Sequence, residues 1–201
     1  MLVLYGNNWC KWMLKYTMKK AERNKLFITL AISACAILWS ACRVKIPRNA
    51  KAVKPFDAKQ YLGKWYEIAR MDFKFEKNLS NVTATYSQEK EGSIKVKNRG
   101  YHTIEKKWKE SIGTAKPVNS FDEGRLKVSF FGPFYAGYNV IAIDSDYQYA
   151  LIAGNDLDYL WILSRTPAIP ETVKSGYLSI AKELGYSIED LVWTEHGEIS
   201  Q

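Results

Sequence analysis

Phe56-Asp57-Ala58-Lys59-Gln60-Tyr61-Leu62-Gly63-Lys64-Trp65-Tyr66-Glu67-Ile68-Ala69-Arg70 sets a glycine two places ahead of a tryptophan, at the head of a run rich in aromatic and branched side chains. Gly63 lets the backbone bend tightly, and the run from Gly63 to Met71 reads as a strand with side chains alternating between two faces. Downstream, short runs of Tyr, Val, Ile, Phe and Trp recur between turn signals such as Glu91-Gly92-Ser93, Asp122-Glu123-Gly124 and Gly154-Asn155-Asp156. The further strands predicted are Val82–Gln88, Ile94–Tyr101, Trp108–Pro117, Arg125–Phe130, Tyr138–Asp144, Tyr149–Gly154 and Tyr159–Ser164. Eight antiparallel strands in a meander close an up-and-down barrel around one small ligand. After the last strand, Val173, Tyr177, Ile180, Ala181 and Leu184 recur at helical spacing between Pro167 and Gly185. This predicts one C-terminal helix with its apolar stripe on the outside of the barrel. Leu191-Val192-Trp193 reads as a short terminal strand. The expected class is all-β, with a single domain over residues 56–195.

Composition fits one packed core. The 201 residues are 47% hydrophobic and 14% aromatic. The formal charge of +8 raises nucleic acid as a partner. Six of the 29 basic residues and one of the 21 acids precede Leu26, which leaves a surplus of only three positive charges on the rest of the chain. The remaining lysines and arginines, including Lys106-Lys107-Trp108-Lys109, alternate with acids and apolar residues, and no nucleic-acid partner is expected. Cys10, Cys35 and Cys42 all lie in the first quarter of the chain, so no disulfide, thiol nucleophile or cysteine-based metal site is expected in the domain. Two histidines far apart in sequence, His102 and His196, suggest no metal site either.

The N-terminal 41 residues read as a signal peptide region. Met18 to Lys25 is basic, and Leu26 to Ala41 follows without a charge, ending in small residues. Sixteen residues fall short of the roughly 20 that span a bilayer, although an uncleaved signal anchor stays open as an alternative. Met18 makes the more ordinary start, with residues 1–17 ahead of the signal. The segment resembles a bacterial lipoprotein signal, which implies a cysteine that is acylated and becomes the mature N-terminus. Trp39-Ser40-Ala41-Cys42 places Cys42 where the apolar run ends, whereas Ile32-Ser33-Ala34-Cys35 has the more usual motif residues; Cys42 is preferred and Cys35 remains the alternative. Residues 42–55 then read as a flexible tether.

Three blocks in order, the Gly63-Lys64-Trp65 segment, Asp144-Ser145-Asp146-Tyr147-Gln148-Tyr149-Ala150 and Leu160-Trp161-Ile162-Leu163-Ser164-Arg165-Thr166-Pro167, resemble the three motifs of the lipocalin family. Val128-Ser129-Phe130-Phe131-Gly132-Pro133-Phe134-Tyr135 with Tyr138-Asn139-Val140-Ile141-Ala142 is similar to the bacterial outer-membrane lipocalins, relatives of apolipoprotein D. The resemblance implies an outer-membrane carrier or store of small amphiphilic lipids such as fatty acids or lysophospholipids, with no cofactor. It also implies that Trp65 plugs the closed end of the barrel with Arg165 across its ring, and that Tyr135 and Trp161 line the pocket. Alternation from Trp65 adds Glu67 and Ala69 to the inner face, and alternation from Arg165 adds Leu163, Trp161 and Tyr159. A buried Glu67 needs a partner: an arginine, a tyrosine or a ligand head group. Tyr135 falls in an aromatic Phe130–Tyr138 stretch read as a loop at the mouth.

Competing functions stay in view. A lipid-modifying enzyme of the same fold would use Glu67 as acid or base, but the chain has no Gly-X-Ser-X-Gly elbow and no evident Ser/His/Asp set. A haem or pigment carrier would show itself by colour, and a purely structural lipoprotein by a filled barrel. Oligomeric state is not legible.

Overall fold

The computed structural model describes residues 44–74, 76–89 and 92–198. A four-residue helix α1 (Ala58–Tyr61) is capped by Asp57, whose carboxylate accepts from the amides of Lys59 and Gln60. The strands follow as β1 (Gly63–Met71), β2 (Leu79–Gln88), β3 (Ile94–His102), β4 (Lys107–Pro117), β5 (Arg125–Phe131), β6 (Phe134–Ile143), β7 (Tyr149–Ala153) and β8 (Leu160–Ser164). Helix α2 (Glu171–Leu184), a 3-10 turn and β9 (Leu191–Trp193) end the chain. Each strand pairs antiparallel with the next, and β1 pairs with both β8 and β2, so eight strands close a barrel; β9 is an extra strand on β1. All of the predicted strands and the helix form, most within a residue or two of the expected ends.

Two apolar layers follow from strand alternation. Trp65, Tyr86, Val96, Leu126, Val140 and Leu163 pack inside the barrel. Ile68, Leu151, Leu160 and Ile162 point outward and are covered by Tyr177 and Ala181 of α2. That helix starts at Glu171 rather than Pro167, because Pro170 occupies its N-cap. It stops at Gly185, which adopts a left-handed φ of 97° and donates to Ala181 and Lys182.

Two segments depart from expectation. Phe130–Tyr138 is a tight hairpin, not a loop: Phe131 pairs with Phe134 across Gly132-Pro133, and β6 runs on through Gly137 opposite Lys127. Glycine and proline there mark a two-residue turn and a close crossing of chains, which local composition does not separate from a long loop. Residues 44–55, expected to be a flexible tether, are hydrogen-bonded along the barrel. Lys45 N donates to Asn155 Oδ1, Val53 N to Val140 O and Gly124 N to Val53 O. The segment crosses β6 so closely that a Cβ on Gly137 would meet Lys45 O at 2.5 Å.

Candidate functional site

The closed end is built on Trp65. Its ring is fully buried, its Nε1 donates to Tyr61 O at 2.9 Å, and the Arg165 guanidinium lies 3.8 Å from the ring centre. Arg165 donates to the carbonyls of Lys64, Gln60 and Tyr147, tying three chain segments together over the indole face. Gly63 has φ 100°, and a Cβ there would stand 3.2 Å from Arg165 Nη1. Above this floor, Tyr138 OH bonds to Tyr61 OH (2.6 Å) and Tyr86 OH (2.7 Å). Burial pushes all three phenols above the usual tyrosine range, so they stay protonated at physiological pH. Three hydroxyl protons and two bonds leave the set with hydrogen-bonding capacity to spare.

The throat of the barrel carries charge. Glu67 faces inward as expected, and its partner is Arg70: Nη1 to Oε1 is 2.7 Å, with both side chains less than 5% exposed. Thr194 Oγ1 also donates to Glu67 Oε1 (2.6 Å), and Arg70 Nη2 donates to Glu76 O (2.6 Å). The Glu76 carboxylate lies 3.8 Å from Arg70 Nε and accepts from Trp161 Nε1 (3.1 Å). Ala69 does not follow Glu67 to the inside. A bulge between Glu67 and Ala69 shifts the register against β8, so Ala69 joins the outer layer beneath α2 and Arg70 takes the inward position.

Between floor and mouth lies a cavity of about 40 Å³, lined by Glu67, Glu76, Tyr86, Asn98, Tyr138 and Trp161 among others, with Leu163 on its wall. Asn98 Oδ1 is buried there without a hydrogen-bond partner. Tyr159 stacks on Trp161 (6.2 Å between ring centres), and Phe73, on the turn between β1 and β2, meets both edge-on. Tyr135 lies apart from this group: it alternates with the inward Tyr138 and sits under Lys127 Nζ at 5.2 Å, a residue whose neighbours Leu126 and Val128 point inward. The structure thus gathers Glu67, Trp161, Leu163 and Tyr159 around the throat and sets Ala69 and Tyr135 elsewhere. Arg70, Glu76, Phe73, Asn98 and the tyrosine trio join the site without having been singled out in the sequence. The inward parity of β2 and β6 was the available signal for Tyr86 and Tyr138.

Burial, reinforced by the negative charge of Glu67, raises the Glu76 carboxyl from 4.5 to about 8. The folded protein therefore keeps a proton that the unfolded chain releases near 4.5. Stability linked to this group is full below that value, falls as pH rises towards about 8, and changes no further beyond it. Glu76→Gln, which fixes the neutral form, is expected to flatten the stability profile across this window and to gain most over the parent near its upper end. Urea midpoints at about pH 5 and about pH 8 check it.

Cys42, its alternative Cys35 and the whole leader, including residues 1–17, lie outside the described residues. The Lipocalin-like domain model matches residues 56–196. The chain is 46% identical over 172 residues to outer membrane lipoprotein Blc of Escherichia coli (strain K12), covering 85% of this chain and 97% of that protein. It is 36% identical over 127 residues to apolipoprotein D of Rattus norvegicus, covering 59% and 66%. Among solved structures, insecticyanin of the tobacco hornworm Manduca sexta superposes with a TM-score of 0.61 at 18% identity, covering 78% of this chain and 89% of that one. With a barrel floored by Gly63, Trp65 and Arg165, a domain model matched over residues 56–196 and 46% identity across 97% of outer membrane lipoprotein Blc, the chain belongs to the lipocalin family, within its branch of bacterial outer-membrane lipoproteins.

Proposed function

We propose that the protein binds small amphiphilic lipids, such as fatty acids or lysophospholipids, in the barrel, and carries or stores them at the outer membrane. The observation that supports this reading is the throat: an aromatic wall of Trp161, Tyr159, Phe73 and Tyr138 surrounds buried polar groups with bonding capacity left over, Asn98 Oδ1 and Arg70 Nε. A barrel filled only for stability has no use for a buried ion pair, since apolar residues of the same volume serve as well or better. An acyl chain needs far more than the present 40 Å³, because small-molecule pockets start at about 300 Å³. Entry therefore requires Phe73 and Trp161 to swing aside, and Phe73 stands on a turn rather than a strand. Binding is favoured over turnover because Glu67 Oε1 is already taken up by Arg70 Nη1 and Thr194 Oγ1.

Native mass spectrometry after mild extraction is expected to find a bound lipid, and a fluorescent fatty acid is expected to be displaced by unlabelled lipid at micromolar concentrations. Absence of both overturns the reading. Turnover of a lipid that is lost in Glu67→Gln replaces it with a lipid-modifying activity, and colour in the purified protein replaces it with a pigment carrier.

A further inference from the structure

The two ends of the barrel have different surfaces. In an antiparallel meander the turns β1–β2, β3–β4, β5–β6 and β7–β8 all lie at the end opposite the Trp65 floor. Three of these mouth turns expose large apolar side chains: Phe131 (73%) and Phe134 (76%) at the β5–β6 tip, Ile104 (71%) in β3–β4 and Leu157 (40%) in β7–β8. Among the described residues, none of the large exposed apolar side chains lies in a turn at the floor. A cluster of exposed apolar residues at one end of a water-facing protein marks a surface that is covered in use.

The start of the described chain indicates what covers it. Lys45 is held at Asn155, in the β7–β8 turn, and beside Gly137, three residues along β6 from Phe134. From there the chain runs away from the mouth towards the floor, where Phe56 N donates to Asp122 O. The described chain therefore starts beside the β7–β8 turn, and in sequence Arg43 alone separates Cys42 from its first residue, Val44. The exposed lysines Lys106 and Lys107 follow Ile104, Lys107 paired with Glu105, and Lys74 and Lys77 stand on the β1–β2 turn; long cationic side chains of this kind reach the head groups while apolar neighbours enter the interface.

We propose that the mouth of the barrel docks face-down on the bilayer to which the protein is anchored, with the Phe131–Phe134 hairpin tip in the lipid interface. Docking does not depend on what the barrel holds. The orientation rests on the Cys42 reading, while the surface itself does not.

Gly132 suits a probe, since a Cβ there meets nothing within 4 Å, and the sequence beyond Cys42 contains no other thiol. The full-length lipoprotein carrying Gly132→Cys, labelled with an environment-sensitive fluorophore, is placed in phosphatidylethanolamine/phosphatidylglycerol vesicles; Ser120→Cys, in the β4–β5 turn, reports the floor. The label at residue 132 is expected to be quenched by lipids that carry a quencher on the acyl chain, and the label at 120 to stay in water. Adding Phe131→Ser and Phe134→Ser is expected to cut the quenching at 132 by about tenfold, as the loss of two apolar contacts with lipid dictates. A label at 132 that is wet, or that is shielded but unquenched and cross-links to a second copy of the chain, overturns docking. Mass spectrometry of the same sample reads the acylated cysteine. Where the acyl group is on Cys35, Cys42 is a second labelled thiol; quenching above that of the parent protein labelled at Cys42 alone then upholds the docking surface and discards the Cys42 reading, and quenching no greater than the parent's overturns docking.

Discussion

Arg70→Met is expected to lower the stability of the fold by about 3–5 kcal/mol, the usual consequence of leaving one member of a buried ion pair without its partner. Arg70 is 1% exposed and Glu67 3%. The substitution removes the bonds to Glu67 Oε1, Thr194 Oγ1 and Glu76 O in one step and strands the Glu67 carboxylate beside Glu76. Glu67 keeps Thr194 and the protonated Glu76 carboxyl beside it but loses its cation. For a domain of this size the loss corresponds to a fall in Tm of roughly 10 °C or more. Glu67→Gln on the same background is expected to restore much of it, because the neutral amide no longer needs a counter-charge. Urea denaturation of the parent, the single variant and the double variant measures both effects. A loss below about 1 kcal/mol for Arg70→Met would mean that water reaches the pair as freely as it reaches surface ion pairs.

Arg70 also shows where reading the sequence stops. The floor was legible, since Gly63, Trp65 and Arg165 lie in motifs whose roles are local: a tight bend, a plug and a cation over the plug. Strand positions were legible because composition alternates with turns, and the face of β8 followed from parity, which puts Trp161 and Leu163 on the side of the cavity. The bulge between Glu67 and Ala69 was not legible. It arises where β1 stops pairing with β2 and starts pairing with β9, more than 120 residues away in sequence, and a one-residue shift exchanges every side chain beyond it between the two faces. Ala69 and Arg70 trade places for that reason. Residues 44–55 escaped notice on similar grounds: they attach through backbone groups, which leave no mark in side-chain pattern. Tyr135 was placed at a loop because Gly132, Pro133 and Gly137 all speak for a turn, whereas only two of them make one.

Trp65→Ala carries the other large effect, about 3–5 kcal/mol for deleting a fully buried indole. Three contacts go together: the packing against Tyr61, whose ring centre lies 4.9 Å away, the Nε1 bond to Tyr61 O, and the surface beneath Arg165. The cation–π share is on the order of 0.5–2 kcal/mol, so most of the loss is void and desolvation. Trp65→Phe keeps the ring contact and forfeits the Nε1 bond, and is expected to cost about 1–2 kcal/mol less severely than the alanine variant. What separates floor from throat is the second readout. Because Trp65 lines no part of the cavity, the folded fraction of Trp65→Ala is expected to keep its lipid affinity within about twofold, less than the worth of one buried CH₂. Trp161→Ala removes an aromatic wall from the cavity itself, and there affinity is expected to fall about tenfold, equivalent to roughly 1.4 kcal/mol of apolar contact. Paired denaturation and lipid-displacement titrations on the two variants distinguish a residue that holds the barrel shut from one that meets what enters it; equal losses of affinity in both would place the ligand at the floor.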